Sequence, residues 1–166
     1  MSTATATAPD RTTPQAPSGP VEIWRAMLEF HAEVIGRLET AFRSRHDLSV
    51  SEFDVLINLG PHEHLRHGEL AERVILTRTA LTRLIDRLVA RGLLTRTTSA
   101  RDQRAVLISL TDDGRTLRRA AARTNAAVAR APFAALNPQQ LQALGETIQT
   151  LRNAAQGSDE GKDTSR

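Results

Sequence analysis

Apolar side chains recur along most of this chain at intervals of three and four residues, and one short stretch switches to an interval of two. From Val21 to about Arg45 the stripe is Ile23, Met27, Phe30, Val34, Leu38 and Phe42, widened by Trp24, His31 and Ile35. It predicts a long first helix whose apolar face is broader than a small domain can cover, which points to burial against a partner chain. Ser49-Val50-Ser51-Glu52 has capping-box spacing and opens a second helix through Phe53, Leu56, Ile57 and Leu59, stopped by Gly60-Pro61. Gly68 to about Ile75 carries Leu70, Ala71 and Val74 at helical spacing. After a turn at Leu76-Thr77, Leu81, Leu84, Ile85, Leu88 and Val89 make the stripe of a helix from Arg78 to Arg91. Thr77 stands where an N-cap hydroxyl belongs, and Gly92 where a left-handed C-cap needs no Cβ.

The change of period follows at once. Leu93 to Thr98 and Arg104 to Leu110 are rich in Leu, Thr, Val and Ile, with Val106, Ile108 and Leu110 alternating, which predicts two paired strands joined by the polar tip Ser99-Ala100-Arg101-Asp102-Gln103. Helical spacing then returns. Thr111 caps a helix with Asp112 and Asp113 in its first turn, running through Leu117, Ala121, Thr124 and Val128 to about Ala131. Beyond Pro132, Asn137-Pro138-Gln139-Gln140 supplies an N-cap, a proline at the first helical position and a glutamine at the third. These start a last helix with Leu141, Leu144, Ile148 and Leu151.

The expected fold is mainly α with a small β-wing: a winged helix-turn-helix whose N- and C-terminal helices form a dimerisation region. The expected division is a disordered arm over 1–19, a dimerisation helix over 20–46 and a winged helix-turn-helix over 47–111. C-terminal dimerisation helices over 112–156 and a disordered tail over 157–166 complete it. Two copies about a two-fold axis would set their reading helices into successive major grooves, roughly 34 Å apart.

Composition narrows the setting. Among 166 residues there is no cysteine, so disulfides, thiolate metal sites and cysteine chemistry are excluded. The first 20 residues lack the hydrophobic core of a secretory signal, and no apolar run of 18 follows, so a soluble, cytoplasmic protein without membrane contact is expected. Arg11 is the only basic residue of the arm, which reads as a solvated tail. The formal net charge is +3, but its distribution is uneven: residues 66 to 104 hold nine arginines against four acids, while the remainder is slightly acidic. Positive charge thus gathers on the helix and hairpin, as phosphate binding requires.

The polar face of the Arg78–Arg91 helix carries Arg78, Thr79, Thr82, Arg83, Asp86 and Arg87. Guanidinium groups bond guanine edges or phosphates, and threonine bonds base edges or touches thymine methyls. Taken alone, such a helix fits a membrane surface or a partner protein as well as DNA; the basic hairpin beside it tips the reading to DNA.

With these elements in place, the chain resembles the MarR family of winged-helix transcription regulators over roughly residues 21 to 155. Asp102-Gln103-Arg104 followed by Leu110-Thr111-Asp112-Asp113-Gly114-Arg115 is similar to that family's D-x-R and L-T-x-x-G pattern, and residues 68 to 73 and 81 to 93 resemble its helix-turn-helix. The resemblance implies that Arg104 reaches DNA from the wing while Asp102 orients it through an ion pair; a purely structural pair bracing the hairpin is the alternative. Arg101 is expected at a flanking phosphate. Arg78, Thr79, Thr82 and Arg83 are expected at base edges or nearby phosphates, Thr77 at a phosphate by the helix N-terminus, and Arg87 at a phosphate or a nearby acid. The resemblance also implies a small aromatic or anionic effector, with Trp24, Met27, His31, Phe53 and Arg115 as pocket residues by position.

The implied function is a dimeric, sequence-specific transcriptional regulator, a repressor released by its effector, acting at a pseudo-palindromic operator. The competing readings are a winged-helix protein–protein interaction module and a nonspecific architectural DNA binder. His62, Glu63, His64 and His67 cluster before the helix-turn-helix, but their spacing matches no zinc signature and reads as a solvated turn, with His67 near a helix start. No metal and no cofactor are expected. There is no G-x-S-x-G, P-loop, H-E-x-x-H or dinucleotide motif, so no enzyme is expected either.

Overall fold

The computed structural model describes residues 16–98 and 105–157. The wing tip with Arg101, Asp102 and Arg104 lies outside the described residues, as do most of the arm and tail.

Helix α1 (Pro20–His46) ends at Asp47, which adopts the left-handed conformation at φ 50°. Helix α2 (Val50–Ile57) begins with the capping box foreseen from Ser49 and Glu52: Glu52 N–H donates to Ser49 Oγ, while the Glu52 carboxylate takes the Ser49 N–H. Strand β1 (Leu65–Arg66) and helix α3 (His67–Ala71) follow, then α4 (Arg78–Ala90). Strands β2 (Leu94–Thr98) and β3 (Val106–Leu110) lead into α5 (Asp112–Phe133) and α6 (Pro138–Gly157). The three strands form one antiparallel sheet in the order β1-β3-β2, with Leu65 opposite Ile108 and Arg96 opposite Ile108 on its other side.

A single apolar core joins the sheet to every helix except α6. Leu38 and Phe42 of α1 meet Phe53 and Leu56 of α2; Leu81, Ile85 and Leu88 of α4, Leu70, Leu94, Ile108, Leu110 and Ala121 complete the cluster. Phe42 and Phe53 pack ring to ring at 4.7 Å. Two arginines of α5 close the back of this body. Arg118 donates to the carbonyls of Leu56 and Ile57 at the end of α2, at 3.1 and 3.3 Å, where a cation suits the negative end of the helix. Arg115 donates to the Leu110 carbonyl at 2.7 Å and bridges to Asp112.

Four expectations need correction. Helix α3 stops at Ala71 rather than Ile75: successive turns from Glu72 drop Val74 into the core and leave Ile75 outside at 97% exposure. Strand β1 was unforeseen, because two residues cannot show a period and Leu65 finds its partner 43 residues later, in β3. The alternation of β3 holds only at its inner end: Ile108 and Leu110 are buried, but Val106 projects with the hairpin beyond the core and Ser109 is buried instead. Pro132 lies inside α5, and the break before α6 falls at residues 134–137, where Asn137 and Gln140 cap each other reciprocally.

Candidate nucleic-acid interface

The N-terminus of α4 is built by local chemistry. Thr77 holds extended geometry, and its hydroxyl accepts the Ala80 N–H at 3.2 Å. Leu81, Leu84, Ile85 and Leu88 then lock the inner face into the core, which leaves Arg78, Thr79, Thr82 and Arg83 exposed on the outer face. Gly92, at φ 71°, ends the helix and releases the chain into β2.

The arginines of α4 divide into two groups. Among the described residues no carboxylate bridges to Arg78 or Arg83, so both guanidinium groups at the N-terminal half stand open. Towards the C-terminus, Arg87 and Arg91 turn to the buried Glu52, at 3.8 and 3.6 Å, and Arg91 also meets Asp47 at 3.4 Å. Asp86 binds Arg96 of β2 at 2.6 Å, tying the hairpin's first strand to the helix beside it. Of the two roles foreseen for Arg87, the geometry favours the partner of an acid.

The elements behind α4 are fixed by carboxylates. Glu39 of α1 takes the Val50 N–H at 2.7 Å; that backbone bond holds its pKa below the ordinary 4.5 against the opposing effect of partial burial, with Arg43 assisting. Glu63 takes both nitrogens of Arg73, at 2.8 and 2.9 Å, and the Gly60 N–H, and its pKa is lowered first by Arg73. The connection between α2 and α3 is thereby clamped to the turn between α3 and α4. Asp112 is likewise held low by Arg115.

The hairpin is anchored by the Leu110–Gly114 segment. Thr111 Oγ donates to the Gly92 carbonyl at 2.7 Å and accepts the Gly114 N–H at 3.0 Å, so one hydroxyl joins the end of α4 to the first turn of α5. The Thr111 N–H donates to the Leu93 carbonyl.

The five residues expected around a small-molecule pocket do not converge. Met27 and His31 line a cavity of about 870 Å³ bounded by α1, the end of α5 and α6, with Phe133, Leu141, Ile148 and Arg152 among its walls. Trp24 is exposed outside it, Phe53 belongs to the core, and Arg115 is committed to Leu110 and Asp112. The histidine cluster is also dispersed: Glu63 serves Arg73, and His67 meets Thr82. Among the described residues no three metal-binding side chains come together. Sequence reasoning missed the Arg96–Asp86, Arg91–Glu52 and His67–Thr82 contacts, each of which joins residues on different elements.

A helix-turn-helix with an open basic N-terminal face, flanked by an antiparallel hairpin, defines a winged-helix nucleic-acid-binding domain. Residues 48–106 match the model of the MarR family, so this stretch of the chain is similar to the MarR regulators. It is 33% identical over 92 residues to an HTH-type transcriptional regulator of Bacillus cereus, covering 55% of this chain and 60% of that one. It is 36% identical over 72 residues to the organic hydroperoxide resistance transcriptional regulator of Bacillus subtilis, covering 43% and 49%. The chain thus spans about half to three fifths of the length of these curated relatives. The crystal structure of Sco3205, a MarR family transcriptional regulator from Streptomyces coelicolor, in complex with DNA, superposes with a TM-score of 0.70 at 25% identity, covering 86% of this chain and 92% of that one.

Proposed function

We propose that the protein is a homodimeric, sequence-specific DNA-binding regulator of transcription, acting in the cytoplasm as a repressor at a pseudo-palindromic operator. The observation that carries this reading is the division of α4: its N-terminal half offers Arg78, Thr79, Thr82 and Arg83 to solvent, while its C-terminal arginines hold the helix in place through Glu52. Arg78 and Arg83 reach base edges or phosphates, Thr77 and Thr79 flank them, and Arg101, Asp102 and Arg104 serve from the wing. The likeness to a DNA-bound relative supports the same reading. So does the uncovered apolar surface of the single chain. Ile23, Trp24, Leu28 and Phe30 of α1 and Leu141, Leu144, Ile148 and Leu151 of α6 are all more than a third exposed, and a second copy is the partner that covers them. No helix among the described residues is long and apolar enough to cross a membrane.

The cavity beside α1 supports an effector with an aromatic or aliphatic body and an anionic end, since its walls are apolar apart from His31, Gln149 and Arg152. Reversing operator occupancy from 99:1 to 1:99 requires such a molecule to prefer one state about 10⁴-fold.

The test is binding to genomic DNA fragments across a salt series. Each phosphate contact adds close to one unit to the slope of log affinity against log salt. Arg83→Ala and Arg104→Ala are each expected to weaken binding roughly tenfold or more. Sequence-independent binding, or affinity unchanged by both substitutions, defeats the proposal.

A further inference from the structure

His67 opens α3 and is half-buried against α4. Its Nε2 lies 3.0 Å from the hydroxyl of Thr82, on the outer face of α4. The same hydroxyl lies 3.0 Å from the carbonyl oxygen of Arg78, one turn earlier. A hydroxyl has a single proton to give. When His67 carries its proton on Nε2, that N–H donates to Thr82 Oγ1, and the hydroxyl proton goes to the Arg78 carbonyl. When Nε2 is the bare nitrogen, the hydroxyl donates to it or to the carbonyl. In every case the proton is spent inside the protein, and Thr82 faces outward with an acceptor oxygen and a methyl group.

The nearby carboxylates do not compete for this arrangement. Glu69 turns back to the Arg66 N–H at 2.6 Å, and Asp86 is held by Arg96. Threonine in a helix divides between two χ1 rotamers because its hydroxyl can bond the carbonyl one turn back; the histidine across the turn stabilises the one that keeps Oγ1 beside the Arg78 carbonyl.

We propose that His67 is a specificity-determining positioning residue: by holding the Thr82 hydroxyl it makes Thr82 a reader that accepts adenine, cytosine or thymine and rejects guanine. The guanine edge in the major groove presents two acceptors, N7 and O6, and a threonine with no free proton cannot satisfy them. Adenine N6 and cytosine N4 donate to the oxygen, and the thymine methyl packs on the Thr82 methyl. The inference rests on the regulator reading above.

The experiment is selection of bound duplexes from a randomised double-stranded DNA library by the full chain and by His67→Ala, His67→Gln and Thr82→Val. Thr82→Val identifies the position that Thr82 reads, by loss of adenine and cytosine there with thymine retained. His67→Ala is expected to admit guanine at that same position, with discrimination falling roughly tenfold and the other positions unchanged. His67→Gln, whose amide reaches the same hydroxyl, keeps guanine excluded. His67→Asn, too short to reach, replaces the alanine variant should thermal melting show that one unfolded. A motif left intact by His67→Ala, or shifted uniformly at all positions, overturns the inference while leaving the regulator reading standing. A wild-type chain that selects no motif overturns both.

Discussion

Gly114 sits where the first turn of α5 passes over the start of β2, and a Cβ added there would stand 2.0 Å from the Leu93 carbonyl oxygen. Backbone on that side cannot yield without pulling Thr111 off Gly92, so Gly114→Ala is expected to cost about 1–3 kcal/mol, read as a lowered midpoint in urea unfolding. Gly92 is a milder case: its left-handed φ makes Gly92→Ala cost about 1 kcal/mol with no steric clash. The arginines of α4 separate by the same residue-level reasoning. Arg83→Ala is expected to weaken DNA binding and to leave stability nearly untouched, because among the described residues no carboxylate bridges to it. Arg91→Ala takes a partner from the buried Glu52 and is expected to lower stability by about 1 kcal/mol, a figure reduced for the partial exposure of the arginine and the 3.6 Å separation. Measuring salt-dependent DNA binding and unfolding on both variants checks the division.

At the scale of elements, the entry to α2 depends on two carboxylates from different helices, Glu52 within it and Glu39 from α1. Because the folded pKa of Glu39 is depressed below 4.5, its contribution is fully present above that pH and is lost as pH falls through the lower folded value. Stability is therefore expected to decline on acidification below about pH 4.5, and Glu39→Gln to flatten part of that decline when unfolding is followed at stepped pH. Elements governed by such near neighbours were legible in the sequence. The caps at Ser49, Thr77, Thr111 and Asn137 act within three residues, and the stripes of α1 and α4 repeat often enough to be read. What escaped was long-range or too brief. Strand β1 has no period, α3 gives way after Ala71 to turns that carry Val74 into the core, and Arg91 finds Asp47 across 44 residues. The candidate site divides in the same way. The exposed face of α4 follows from periodicity, whereas position alone suggests Phe53 and Arg115 for a pocket, and the core and the joint between β3 and α5 claim them.

For the whole molecule, the apolar outer stripe of α6 is the surface most in need of a partner. Leu144→Glu with Ile148→Glu is expected to convert the proposed dimer to monomers in sedimentation experiments while the winged domain keeps its fold, since α6 adds no side chain to the buried core. Operator affinity should fall steeply with it, because a single reading helix binds one half-site only. Helix α1 gives this assembly a mechanical character. Its 27 residues form one unbroken rod of about 40 Å, with Leu38 and Phe42 seated in the reader's core and Met27 and His31, in its N-terminal half, at the wall of the cavity. From Met27 to Phe42 the rod runs about 22 Å, so a tilt of about 5° about its seat in the core moves the cavity wall by roughly 2 Å, and the converse holds. In the proposed dimer, a molecule in the cavity would thus retune the spacing of the two reading helices by leverage, with no element unfolded.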